Sequence, residues 1–172
     1  MLKLLRRLLT DPAFAKKKAF LKSLPLFKDL SGRDIGAVMQ ALHIRTYEEG
    51  EAVFVEGDIG RALFLVETGR VELTKSDPQG RPQRLVVAGP GDFFGEMALL
   101  EELPRSASAT AIEKATLHLF YRTTLEALLR HDPRVGVSIL LHIARLLSAR
   151  LRRASQSLVA DGAAPPASPR AA

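Results

Sequence analysis

The sequence predicts a mainly β protein with flanking helices: a closed or double-layered antiparallel architecture, barrel or jelly roll, with helices before it and one long helix after it. Three observations point there. Between His43 and Tyr121, short runs rich in Val, Ile, Leu, Thr and Phe alternate with Gly-containing turns at intervals of about ten residues. Before His43 and after Arg122, apolar residues recur instead at the three- and four-residue steps of a helix. The 172 residues, 47% of them hydrophobic, suffice for one domain with a real core.

Taken in order, Leu2, Leu4, Leu5, Leu8 and Leu9 fall on one side of a helical wheel and Lys3, Arg6 and Arg7 mostly on the other, predicting a short amphipathic helix over residues 1–9. Asp11 followed by Pro12 is an N-cap with Pro in the first helical position, so a second helix is expected over Pro12 to Ser23, burying Phe14, Phe20 and Leu21 and leaving Lys16, Lys17 and Lys18 mostly outside. Pro25 breaks it. Ser31, with Asp34 in the first turn, caps a third helix running to about Leu42. The expected strands are His43–Tyr47, Ala52–Val55, Ala62–Glu67, Arg70–Ser76, Arg84–Ala88, Ser106–Ala111 and Ala115–Tyr121. Helix resumes at Arg122, stops near His131-Asp132-Pro133 and restarts for a long run to about Leu158. There Val135, Ile139, Leu140, Ile143, Leu146, Leu147 and Leu151 form a stripe wide enough for two partners. The domain organisation read from this is a basic helical segment 1–24, a core unit 25–157 that includes the helix 133–157, and an Ala/Pro-rich tail 158–172 with the composition of a disordered segment.

Charge is divided along the chain. The net +6 hides an acidic middle: residues 31–144 carry twelve Lys/Arg against sixteen acids, whereas residues 1–30 carry eight against two. A basic N-terminal segment can meet nucleic acid or an anionic membrane surface, although solvated helix faces commonly look the same. No window approaches the roughly 20 apolar residues of a membrane span. Cysteine is absent, which excludes disulfides and thiol chemistry and fits a reducing compartment. The leading Met1-to-Leu9 run is interrupted by arginines and lacks a signal-peptide cleavage site, so a cytoplasmic location is expected. The four histidines are scattered, with no metal-ligand spacing, nucleophile elbow or P-loop, and neither a metal site nor an enzyme is expected.

The stretch Gly91 to Ala109 carries the chemistry. Gly95 lets another molecule approach the backbone, and Glu96-Met97-Ala98-Leu99-Leu100 starts a short helical run whose first amides suit an anion. Arg105, just past a helix-ending Pro104, adds a permanent cation with a planar fork of donors. One carboxylate and one cation thus face a single small ligand. Either residue alone reads more readily as a surface ion-pair member.

The run Phe94-Gly95-Glu96-Met97-Ala98-Leu99-Leu100, with Pro104-Arg105-Ser106-Ala107-Ser108 after it, closely resembles the phosphate-binding cassette of cyclic nucleotide-binding domains. A second part, Glu56-Gly57-Asp58-x-Gly60-x-x-Leu63-Phe64-Leu65-Val66-x-x-Gly69-x-Val71, is similar to the family's glycine-punctuated hairpin strands, and the resemblance covers about residues 25 to 153. It implies an antiparallel β-roll that holds cAMP or cGMP. Phe94, Gly95, Glu96, Met97, Ala98, Arg105, Ser106 and Ala107 would line the ligand, with Glu96 on the ribose 2′-hydroxyl and Arg105, Ser106 and the Gly95–Ala98 amides on the phosphate. The purine would meet apolar residues of the preceding strand, Leu85 and Val87, and the long helix around Ser148, Arg150 and Leu151. Arg150 stands where catabolite activator members of the family have an adenine-bonding threonine, a departure from that pattern.

The resemblance also implies a regulatory role. Bacterial regulators of this family carry a helix-turn-helix domain after the long helix, and nothing after Ser157 has that composition. The expected function is a cyclic-nucleotide sensor that homodimerises through about residues 135–154 and signals through its helices to an effector, without direct DNA contact and without a cofactor. The alternatives are a transcription-regulator homologue lacking its DNA-binding domain, and a nucleotide-independent scaffold or dimerisation module.

Overall fold

The computed structural model describes residues 12–160; the expected helix over 1–9 and the tail beyond 160 lie outside the described residues. Helix α1 (Pro12–Ser23) is followed by a 3-10 turn (Pro25–Phe27) and α2 (Gly32–Gln40). Eight strands come next: β1 (His43–Tyr47), β2 (Ala52–Phe54), β3 (Ala62–Thr68), β4 (Val71–Ser76), β5 (Pro82–Ala88), β6 (Phe93–Phe94), β7 (Ser108–Ala111) and β8 (Ala115–Tyr121). A second 3-10 turn (Glu96–Leu99) sits between β6 and β7, and α3 (Arg122–His131) and α4 (Pro133–Ala160) close the chain. No helix among the described residues is long and apolar enough to cross a membrane.

The strands pair antiparallel into two four-stranded sheets, ordered β1-β8-β3-β6 and β2-β7-β4-β5. This is the double-layered β-roll with flanking helices that the strand spacing predicts. β3 explains how two cores coexist. Its Ala62-Leu63-Phe64-Leu65-Val66 run is buried throughout, so each face of the strand meets a different layer. Phe64 and Val66 point between the sheets with Phe94, Val71, Leu117 and Ala109. Leu63 and Leu65 point outward, where Leu21, Leu24, Phe27, Ile35, Val38, Leu125, Val135, Ile139 and Ile143 cover them with helix. The turn after β3 needs glycine: Gly69 has φ +76°, and a Cβ there would lie 2.2 Å from the Lys114 carbonyl oxygen.

Three expectations are corrected locally. The helix after Ser31 ends at Gln40 rather than near Leu42. Phe93 and Phe94 form a two-residue strand paired with Phe64 and Leu65, which their brevity concealed. The turn after Gly95 ends at Leu99, so Pro104 does not end it; Pro104 instead bridges to Ile59. The lysine triplet also divides: Lys16 is exposed, while Lys17 and Lys18 are half-buried, because α1 lies along the sheet with Leu21 fully buried.

α4 is anchored at its start. Ser31 Oγ accepts from the Asp34 amide at 3.3 Å while Asp34 Oδ2 accepts from the Ser31 amide at 3.0 Å, a reciprocal cap of α2. The other oxygen of buried Asp34 accepts from Arg134 of α4 at 2.8 Å. At the α3–α4 corner a Cβ on Gly136 would lie 2.8 Å from the Leu129 amide nitrogen.

Candidate functional site

A cavity of about 470 Å³ opens between the second sheet, the cassette turn and the distal part of α4. Its architecture begins at Gly95, where a left-handed backbone (φ +74°, ψ 20°) turns the chain out of β6 and into the Glu96–Leu99 turn. That conformation is one an L side chain adopts only at a cost. A Cβ at Gly95 would also sit 2.7 Å from Arg105 Nη1 and 3.3 Å from the Ala62 carbonyl oxygen. Glycine here is therefore what allows the arginine to approach the turn.

Arg105 is fixed from several sides. Its Nη1 donates to the Gly95 carbonyl at 3.2 Å and its Nη2 to the Ala62 carbonyl at 2.8 Å. Its guanidinium lies 4.1 Å from the Phe54 ring centroid and 5.4 Å from that of Phe64, a cation held over aromatic faces. Phe64 and Phe94 are stacked with centroids 5.3 Å apart, so the floor beneath the guanidinium is rigid. Burial pushes the Arg105 pKa below the ordinary guanidinium value, opposed by the Asp58 and Glu96 charges; a guanidinium starts so high that it stays charged.

The two parts of the sequence motif meet at this residue. The Arg105 amide donates to the Asp58 carbonyl at 2.7 Å, and the Gly57 amide donates to the Arg105 carbonyl at 2.9 Å. A Cβ on Gly60 would lie 2.8 Å from Ala98 Cβ and 3.2 Å from Arg105 Nε. The upstream glycines thus dock the Glu56–Gly60 turn against the cassette and set the height at which Arg105 enters the cavity.

Glu96 is 3% exposed, and its Oε1 accepts a hydrogen bond from Arg150 Nη1 of α4. The pairing joins residues 54 apart in sequence, which no local pattern could announce. It brings the long helix onto the carboxylate of the cassette.

Of the residues expected to meet a ligand, Phe94, Gly95, Glu96, Met97, Ala98, Arg105, Ser106, Ala107, Leu85 and Arg150 all line this one cavity. Val87, Ser148 and Leu151 are not among its lining residues. β5 explains the first: Leu73 pairs with Val86 and Thr74 with Arg84, leaving Leu85 as the extra residue of a bulge. Strict alternation puts Leu85 and Val87 on one face, but a bulge shifts the phase, and Leu85 and Val86 both border the cavity. Ser148 is exposed and accepts from Arg152 at 2.8 Å. Sequence reasoning did not single out Phe54, Leu73, Leu103 or Arg153, which also line the cavity. Arg153 had a legible signal, since it stands one helical turn from Arg150; Phe54 had none, because only sheet pairing brings it under Arg105. Among the described residues no group of three His, Asp or Glu could hold a metal ion.

Comparison with known proteins matches residues 44–132 to the cyclic nucleotide-binding domain family. The cyclic AMP receptor protein of Thermus thermophilus is 38% identical over 138 residues, covering 80% of this chain and 62% of that protein. A cAMP-dependent protein kinase regulatory subunit of Eremothecium gossypii is 39% identical over 127 residues, covering 72% of this chain and 27% of the relative. The chain thus spans less than two thirds of the length of these relatives. Among solved structures, the Thermus thermophilus catabolite activator protein superposes with a TM-score of 0.73 at 37% identity, over 80% of this chain and 63% of that one. A cyclic nucleotide-binding domain from Methylobacillus flagellatus superposes with a TM-score of 0.75 at 27% identity, over 88% and 85%. With its cassette, glycine-punctuated hairpin and β-roll assembled around Arg105, the chain belongs to the cyclic nucleotide-binding domain family, a regulatory rather than a catalytic one.

Proposed function

We propose that the protein is a cyclic-nucleotide sensor that binds cAMP or cGMP in the cavity beside Arg105 and passes occupancy to a partner through α4. The observation that carries the reading is Arg105 itself, held by two carbonyls and two aromatic faces at the wall of a cavity of nucleotide size. A cyclic phosphodiester keeps one negative charge throughout the neutral range. The pre-set guanidinium meets it without reorganising, so little of the binding energy goes into ordering the site. Ser106, exposed at the cavity, offers its hydroxyl to the same group.

Glu96 takes the ribose 2′-hydroxyl. A carboxylate has about four acceptor positions, so Glu96 can hold Arg150 and a sugar hydroxyl together, and the ligand then bears directly on the α4 contact. Leu85, Val86 and Met97 offer the apolar surface for the purine. The relatives named as cyclic AMP receptor protein and cAMP-dependent kinase subunit favour cAMP over cGMP.

The signal leaves through a homodimer on α4. Val137, Leu141 and Leu151 are 45%, 49% and 69% exposed; with Ala144 and Ser148 between them they repeat at alternating four- and three-residue steps, the seam of a two-helix coiled coil. The decisive test is calorimetry with cAMP and cGMP on the wild type and on Arg105→Ala. The variant is expected to bind at least roughly tenfold more weakly, since a hydrogen bond to a charged group contributes about 1.5–3 kcal/mol. Unchanged affinity would remove Arg105 from the site.

A further inference from the structure

On the face of the first sheet opposite the nucleotide cavity, a charged cluster lies under α1 that the sensor reading does not use. His118 of β8 is fully buried among apolar neighbours, with the Phe20 ring of α1 5.3 Å from its own. Its Nε2 is 2.8 Å from Glu67 Oε2 of β3. A carboxylate at that distance accepts, so Nε2 carries the hydrogen of the neutral ring. Nδ1 has no hydrogen-bond partner among the described residues. A second proton would therefore arrive on a buried atom with no acceptor.

The neighbouring charges add to this. Lys17, half-buried on α1, lies within electrostatic reach of both Glu67 and His118; from β1 the residue paired beside His118 is the apolar Ile44. With His118 neutral, Glu67 balances Lys17. With His118 protonated, one carboxylate faces two cations, one of them out of contact with water. The histidine is fixed in the sheet, so the repulsion falls on Lys17 and on the face of α1 that carries it.

We infer that the docking of α1 on the sheet is a pH-sensitive latch: protonation of His118 under Lys17 and Phe20 loosens α1 and frees a basic helical arm, independently of nucleotide. The direction agrees with burial holding the His118 imidazole below its ordinary pKa, with the Glu67 hydrogen bond opposing. Because the docked form disfavours the proton, docking is complete above the free-histidine pKa of about 6.5 and weakens as pH falls through and below it.

The test is hydrogen exchange by mass spectrometry on the full chain at pH 7.5 and 5.5, with exchange times scaled for the intrinsic pH dependence. Protection of peptides from α1 should fall by up to about tenfold per pH unit, the limit for one linked proton, while β3 keeps its protection. The fall should vanish in His118→Phe and shrink in Lys17→Met, which keeps the lysine stem and the packing but removes the second cation. Equal α1 protection at both pH values in the wild type would overturn the latch. So would a wild-type-sized fall in Lys17→Met, a variant that leaves the buried histidine and its packing in place.

Discussion

At Gly95 the backbone passes through φ +74°, and the space a methyl group would take is already occupied by Arg105 Nη1 at 2.7 Å. Two costs therefore coincide in Gly95→Ala: about 1–2 kcal/mol for an L residue in the left-handed region, and displacement of the guanidinium from its two carbonyls. The variant should lose about that much stability in urea unfolding and should also bind cyclic nucleotide more weakly. Unchanged affinity beside reduced stability would show that the arginine tolerates the shift. Asp34 is the comparable residue at the other end of α4. Its carboxyl is held below the usual range first by the Ser31 hydrogen bond and then by Arg134, against the opposing cost of burial. A depressed carboxyl contributes stability above its unfolded pKa of about 3.9 and loses it as pH falls toward the folded value. Asp34→Ala should thus cost about 1–2 kcal/mol near neutrality through the lost carboxylate bonds to the Ser31 amide and Arg134, and the gap to wild type should close below pH ~4 in acid unfolding.

Among the elements, α4 has two unlike halves. Val135, Ile139 and Ile143 are buried against the 3-10 turn and sheet, and Arg134 and His142 reach Asp34 and Asp29, the latter at 3.3 Å. From residue 150 on, the described side chains are all exposed, and Arg150 reaches back to the cassette. The first half is packed into the domain, while the second touches the cassette through Arg150 and Glu96. Of the stripe expected to serve two partners, Val135, Ile139 and Ile143 cover the domain, Leu140, Leu146 and Leu147 are half-buried, and Leu151 alone stays outside; the exposed Val137 and Leu141 lie beyond the stripe that the sequence marked. Leu141→Glu should convert the proposed dimer to a monomer in light scattering at tens of micromolar, with nucleotide affinity retained. A wild type that is already monomeric would move the output of the sensor elsewhere.

For the whole molecule, the two cores on either side of β3 make the cavity and the helices parts of one packed body. A ligand that binds only the folded state at one hundred times its dissociation constant adds about 2.7 kcal/mol. For a chain of this size that is a rise in melting temperature of about 5–10 °C. Thermal unfolding with cAMP and with cGMP should show it for the preferred nucleotide and should show about half of it or less for Arg105→Ala at the same concentration, as a loss of tenfold or more in affinity requires. No shift with either nucleotide in the wild type would contradict the sensor reading.

Much of this was legible because it is local. The alternation of β-branched runs with glycine turns announces strands wherever they pair, Ser31 and Asp34 announce a helix start, and Phe94 to Ala107 carries its residue types in one uninterrupted stretch. Elements that depend on a partner were not legible. Phe93-Phe94 is a strand only because Phe64 and Leu65 lie beside it, and Val86 borders the cavity only because β4 pairs with β5 around a bulge. Lys17 turns inward because Leu21 and Phe20 fix the face of α1 that meets the sheet. The sequence by itself determined the fold class and picked out the cation and carboxylate that line one cavity, since periodicity and residue chemistry are properties of short segments. Only the tertiary structure decided that Glu96 meets Arg150 across 54 residues, that Phe54 underlies Arg105, and that His118 is sealed against Glu67 beneath α1. Those contacts are set by strand register and helix docking, which arise from the packing of the whole chain.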